Sequence, residues 1–232
     1  MKILILPCAG GTSFNYREFE LKSEDVLVYE YPGHWSRIEE NFENSLEEMA
    51  SNLVEWYLSR NIDKELVILG HSMGAIVGYE SIKYFSQRKI DVKILCVAAC
   101  GSPNKMTSIV EDAIRSESNL IGFLKSIRRN IESVIESDFF QDNLLPSIKN
   151  DFQLLHKYGK KKKAKILPRK IDALIVGLYG KADSFVDSDG IYEWEMYTSK
   201  GISFYEMNGD HFFINKNVDR VLQIIYEESS LQ

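Results

Sequence analysis

Short, nearly unbroken apolar runs recur along this chain, each ended by glycine, proline or aspartate and separated by stretches whose apolar residues fall at helical spacing. The runs cover residues Lys2–Leu6, 25–31, 66–69, 93–99, 171–178 and Ile202–Met207. Strands that are apolar on both faces belong in a parallel sheet covered on both sides. Between the second and third runs, Phe42, Leu46, Met49, Ala50, Leu53, Val54 and Tyr57 repeat every three or four residues. That spacing predicts a helix over 42–58, capped by Asn44 or Asn41. Further helices are predicted over 75–85, 189–197 and 218–228. Repeated strand, helix, strand order makes this an α/β domain with a mostly parallel, doubly wound sheet.

The alternation stops at Asn104. From there to about Tyr158 the pattern is helical only, in pieces over 108–125, 128–137 and 144–158. An all-helical insertion between two strands of such a sheet is expected to cover the strand ends, where sites of these folds lie. We read residues 1–232 as one domain and about 104–160 as a helical lid inserted in it. Lids gate access and exclude water; a subdomain without a gating role is the alternative.

Composition narrows the class. Hydrophobic residues at 44% and aromatic residues at 12% of 232 residues supply a sizeable core. A formal net charge of −6 argues against a nucleic-acid binder. Cys8, Cys96 and Cys100 are an odd count, which suits a reducing compartment better than a disulfide framework. The first apolar run is too short for a signal sequence, and no run approaches the roughly 18 residues that span a bilayer. A soluble, cytoplasmic monomer is expected. Against the acidic background stands Lys160-Lys161-Lys162-Lys163, followed by Lys165, Arg169 and Lys170. It is either a solvated loop or a patch that attracts a phosphate or an acidic protein.

The chemistry concentrates at Gly70-His71-Ser72-Met73-Gly74, where the third strand runs into a helix. A G-x-S-x-G between strand and helix is a nucleophile elbow, a turn that lifts the serine hydroxyl clear of the sheet. A serine hydroxyl needs a base within reach, and the base needs an orienting group. Of four histidines, His71 adjoins the nucleophile and should point elsewhere, His34 lies in an early loop, and His156 lies in the expected lid. His211, after the last strand, remains. The orienting acid should follow the preceding strand, which favours Asp183 over Asp187; Asp210 is too close to His211 to serve. The chain order Ser, Asp, His is the one such sheets use. The oxyanion hole should combine the N–H of Met73 with one from the loop Pro7-Cys8-Ala9-Gly10-Gly11, most simply Ala9.

Six blocks in order, LPCAGGTSFNYREF, YEYPGHWSRIEE, ILGHSMGAIVGYE, LPSIKNDFQLLHKY, GLYGKADSFV and NGDHFFI, resemble the type II thioesterases that edit nonribosomal peptide and polyketide synthases. The resemblance implies an α/β-hydrolase fold with a helical lid and hydrolysis of acyl or aminoacyl groups from the phosphopantetheine arm of carrier proteins. It implies Ser72 as nucleophile, His211 as base, Asp183 as orienting acid, Ala9 and Met73 as oxyanion donors, and no cofactor or metal of the protein's own. His34 stands where the family commonly has arginine, while Arg37 is kept. A carboxylesterase acting on small oxygen esters, or a binding protein without turnover, are the rival readings.

Overall fold

The computed structural model describes residues 1–60, 63–105, 107–127, 131–163, 168–186 and 188–231. Its six strands are β1 (Lys2–Leu6), β2 (Val26–Val28), β3 (Glu65–His71), β4 (Asp91–Ala98), β5 (Leu174–Gly180) and β6 (Ile202–Met207). They form one sheet in the order β2-β1-β3-β4-β5-β6. Every pairing in it is parallel. The chain steps outward from β1 to β2 and then returns to the other side of β1 for β3. The strand order therefore reverses between β1 and β3, and the crevice beyond their carboxyl ends is where an open α/β sheet places a ligand.

Alternation along the strands divides the core in two. Leu4, Leu6, Leu66 and Ile68 face α2 (Leu46–Arg60), α3 (Met73–Gln87) and the buried Trp194. Ile3, Ile5, Val67 and Leu69 face the other way, towards α1 (Arg17–Lys22) and α9 (Val218–Ser229). The segment between β4 and β5 is helical, as expected, in five pieces: α4 (Thr107–Ala113), α5 (Glu117–Ile127), α6 (Glu132–Ile135), a π-helical turn over Phe140–Leu144, and α7 (Leu145–Lys163). Its buried residues, among them Val110, Leu120, Phe140, Ile148 and Phe152, belong to the same apolar cluster as α2 and α3. It has no separate core.

Several boundaries differ from the sequence pattern. Helix α2 begins at Leu46 because Ser45, not Asn44 or Asn41, caps it: the Ser45 hydroxyl accepts the Glu48 N–H at 3.1 Å. The helix expected over 108–125 is broken by a second cap, Ser116, which accepts the Asn119 N–H at 3.1 Å. The lysine run is not a loop up to Lys163 but the last turn of α7, where Lys161 pairs with Glu47 of α2 at 2.6 Å. The helix expected over 189–197 is α8 (Ser188–Tyr192) followed by a 3₁₀ turn over Glu193–Tyr197, and α1 was not anticipated. No described helix is long and apolar enough to cross a membrane.

Candidate active site

Ser72 ends β3 and begins α3 at φ 52°, ψ −116°, backbone angles that a residue with a side chain rarely adopts. Such strain costs about 1–3 kcal/mol and persists only where the surroundings enforce it. Here the flanks enforce it. A Cβ on Gly70 would lie 2.4 Å from the backbone of Ala75, and one on Gly74 would lie 2.1 Å from the Leu6 carbonyl oxygen. The Ser72 N–H is tied to the Ala98 carbonyl at 2.8 Å. Strand β1, the turn and α3 thus meet too closely for any residue but glycine on either side of the serine. The serine is 8% exposed.

His211 and Asp183 come together as expected. His211 Nδ1 lies 2.9 Å from Asp183 Oδ2, with both side chains buried. The other carboxylate oxygen accepts the N–H groups of Phe185 at 2.8 Å and Val186 at 3.2 Å, so the acid is held by its own turn. Phe185 and Phe212 stand edge-on to the imidazole. Asp210 instead accepts the Phe212 N–H at 3.0 Å and takes no part in the pair. Asp187 lies outside the described residues.

The loop after β1 spends its amides one by one. The Cys8 N–H is taken by the Tyr16 hydroxyl at 3.0 Å, that of Gly10 by Asp151 Oδ2 at 2.8 Å, that of Gly11 by the Cys8 carbonyl at 2.8 Å, and that of Thr12 by Asn15 at 2.8 Å. Ala9 is left, among the described residues, with an uncommitted N–H. Across the β1–β3 pairing, Met73 occupies the first turn of α3, where an N–H has no helical acceptor. The sequence names these two N–H groups as candidate oxyanion donors, and the positive end of the α3 dipole lies at Met73.

Two further histidines organise the surroundings. His71 is fully buried, and its Nε2 lies 2.8 Å from the backbone carbonyl of His211. A carbonyl only accepts, so Nε2 carries the proton and Nδ1 accepts from the Tyr16 hydroxyl at 2.8 Å. Burial, then the neighbouring His211, push the His71 pKa down to about 3, which keeps the ring neutral. Burial and the neighbouring Cys8 hold the Tyr16 phenol well above its ordinary range, so it stays a donor. Elbow, base loop and β1 loop are joined through these two rings.

His34, which the sequence places in an early loop, is buried and pairs with Asp151 of α7 at 3.0 Å. The sequence assigns no role to Tyr16 or Asp151, although an acid on the apolar stripe of Ile148, Phe152 and Leu155 must have a buried partner. His156 sits on α7, and its buried Nδ1 has no hydrogen-bond partner. No group of three or more His, Cys, Asp or Glu side chains among the described residues is arranged to hold a metal.

A family model described as a thioesterase domain matches residues 1–228. Thioesterase PikA5 of Streptomyces venezuelae is 27% identical over 228 residues, 93% of this chain and 76% of that protein. Among solved structures, the RedJ thioesterase from the prodiginine biosynthetic pathway in Streptomyces coelicolor matches with a TM-score of 0.85 at 22% identity, over 98% of this chain and 90% of the other. BorB, a type II thioesterase from the borrelidin biosynthetic cluster, matches with a TM-score of 0.80 at 26% identity, over 98% and 91%. The chain spans about 16% of the length of phenyloxazoline synthase MbtB of Mycobacterium tuberculosis, to which it is 24% identical over 230 residues.

Proposed function

This chain belongs to the thioesterase domain family, and from that premise we propose that it hydrolyses acyl and aminoacyl thioesters carried on the phosphopantetheine arm of synthase carrier proteins, as a type II editing enzyme. Its fold is the α/β-hydrolase fold of its structural neighbours. The observation that carries the mechanism is the His211–Asp183 pair at 2.9 Å, on a loop bonded to the elbow through His71.

Ser72 Oγ attacks the thioester carbonyl carbon and passes its proton to His211 Nε2, while Asp183 accepts from Nδ1–H and stabilises the imidazolium. The carbonyl oxygen becomes an oxyanion facing the N–H groups of Ala9 and Met73. Collapse of this intermediate breaks the carbon–sulfur bond, and the pantetheine sulfur leaves with the proton held by His211. Water then attacks the acyl-serine, giving a proton to His211 as it does so. Breakdown returns that proton to Ser72 and releases the acid. A thiol leaves readily, so the oxyanion donors and the base carry most of the demand. No cofactor of the protein's own enters these steps. The proposed setting is cytoplasmic, the proposed state monomeric, and the helices between β4 and β5 act as a lid over the acyl group.

Intact-mass measurement after mixing with a panel of acyl-carrier proteins tests this reading. A transient acyl adduct on Ser72, absent in Ser72→Ala, is expected together with faster release from acyl-carrier and acyl-pantetheine thioesters than from simple oxygen esters. Full activity in Ser72→Ala would sink the mechanism, and a preference for oxygen esters would favour the carboxylesterase.

A further inference from the structure

Asp151 is fully buried on α7, and its Oδ2 does two things at once. It accepts the Gly10 N–H at 2.8 Å and faces His34 Nε2 at 3.0 Å. His34 Nδ1 lies 3.0 Å from the Pro32 carbonyl, which only accepts, so that nitrogen is protonated and the bond to Asp151 holds a second proton between the two partners. Burial alone would lower the His34 pKa, but the charge and hydrogen bond of Asp151 outweigh it and raise it. Asp151 Oδ1 has no hydrogen-bond partner. One turn earlier on α7, Ile148 leans on the same glycine: a Cβ on Gly10, itself at φ +66°, would sit 2.1 Å from Ile148 Cγ1. Helix α7 therefore grips the β1 loop at one residue, by a carboxylate and by van der Waals contact.

Burying a carboxylate among apolar neighbours is costly without a compensating role. The Gly10 amide that Asp151 takes is the one after Ala9; taking it fixes the Ala9–Gly10 peptide, and the bond from the Cys8 N–H to Tyr16 fixes the Pro7–Cys8 peptide, so the Cys8–Ala9 peptide that carries the Ala9 N–H is held between two anchored planes. With Cys8 held by Tyr16 and Gly11 by Cys8, the amide left uncommitted in the described loop is that of Ala9. We propose that Asp151, itself anchored by His34, is the positioning residue of the oxyanion hole: α7 seated on the β1 loop orients the Ala9 N–H, so the hole is complete only while this helix is in place. The inference rests on Ser72 acting as the nucleophile, and extends that reading to a residue of the proposed lid that does not touch substrate.

A trifluoromethyl ketone bearing an acyl-like chain is the probe. Ser72 Oγ adds to its carbonyl carbon, the hydroxyl proton moves to His211, and the ketone oxygen becomes an oxyanion in the hole. In the wild-type protein, NMR of the adduct should move the Ala9 and Met73 amide protons strongly downfield and leave Gly10 nearly where it was, protected from exchange by Asp151. Movement of Gly10 with Ala9 unmoved would overturn the proposal. Asp151→Leu keeps the branched shape at a larger volume and removes the acceptor. Per active site titrated by a covalent serine probe, it should lower kcat roughly tenfold or more and weaken the ketone by the same factor, with KM changed less than about twofold. Asp151→Asn keeps an acceptor for Gly10 and should stay within about threefold of wild type. A merely structural Asp151 would lower Tm and the titrated fraction while leaving ketone affinity per site unchanged, and that result also overturns the proposal. If Ser72→Ala were fully active, or the ketone formed no adduct with wild type, the nucleophile reading itself would fail; a normal wild-type adduct with an unaffected Asp151→Leu sinks only the role of Asp151.

Discussion

Glycines in this chain separate into those the site requires and those it tolerates. Gly74→Ala would place a methyl 2.1 Å from the Leu6 carbonyl oxygen, a backbone atom that cannot swing aside. The expected loss is about 3 kcal/mol or more in urea denaturation, together with most of the activity. Gly122, exposed within α5, has nothing within 4 Å of the added carbon, so Gly122→Ala should gain about 1 kcal/mol from helix propensity alone. Asp183→Asn makes the sharper chemical test. The amide keeps the shape, but through its NH₂ group it favours the wrong imidazole tautomer, and kcat should fall by about three to four orders of magnitude with Tm nearly unchanged. A drop under tenfold would remove Asp183 from the mechanism. Gly74 and Asp183 were legible because each closely follows the end of a strand, β3 and β5, beside other glycines of the turn. Tyr16 and Asp151 were not: their partners are 55 residues away in His71 and 141 in Gly10, and no local pattern marks a contact of that span.

Periodicity identified whole elements better than it set their limits. Apolar spacing over 42–58 is real, yet Phe42 is 37% exposed and Ser45, whose hydroxyl accepts the Glu48 N–H, starts the helix. At the other end of α7, charge repulsion among lysines argued for a loop, and the helix continues because Lys161 reaches Glu47 and the preceding turns are already buried at Tyr158 and Leu155. The helical insertion was legible from the loss of alternation, whereas its π-helical turn over Phe140–Leu144 carries no sequence signature. That Lys160 and Lys161 are exposed on α7 keeps open a role in steering an acidic carrier. Replacing Lys160 to Lys163 by glutamine should slow turnover of carrier-bound substrate several-fold at low salt and spare a small soluble thioester, the difference shrinking as salt screens the charges. Equal effects on the two substrates would dismiss steering. The exposed Lys161–Glu47 pair itself is worth no more than about 1 kcal/mol, so Lys161→Gln should leave stability nearly unchanged.

At the scale of the molecule, strand order does what no single stretch could announce. The order β2-β1-β3 puts the end of β1 beside the end of β3, so Ala9 and Met73 become neighbours across 64 residues of chain, and β5 and β6 carry Asp183 and His211 to the same edge. The loops so gathered are held by two buried histidines that respond to pH in opposite directions. His71, with a folded pKa of about 3 against 6.5 in the unfolded chain, refuses a proton that the unfolded chain accepts, so its contribution is full above about pH 6.5 and is lost as pH falls towards 3. Protonation of its Nδ1 would also cancel the acceptor for Tyr16. His34, raised by Asp151, binds its proton more firmly when folded, so its contribution is full below 6.5 and is lost as pH rises through the raised value. Stability should therefore peak near the middle of this range. His71→Asn keeps an oxygen for Tyr16 and cannot titrate, so between about pH 4 and pH 6 its urea midpoint should fall less steeply than that of wild type, while His34→Gln should flatten the alkaline side. Wild type and His71→Asn differ only at this residue, so the difference in slope reports the histidine. Parallel curves for wild type and His71→Asn would mean that the ring is not held neutral in the folded chain, and the bond from the Tyr16 hydroxyl to Nδ1 would then have to be reassigned.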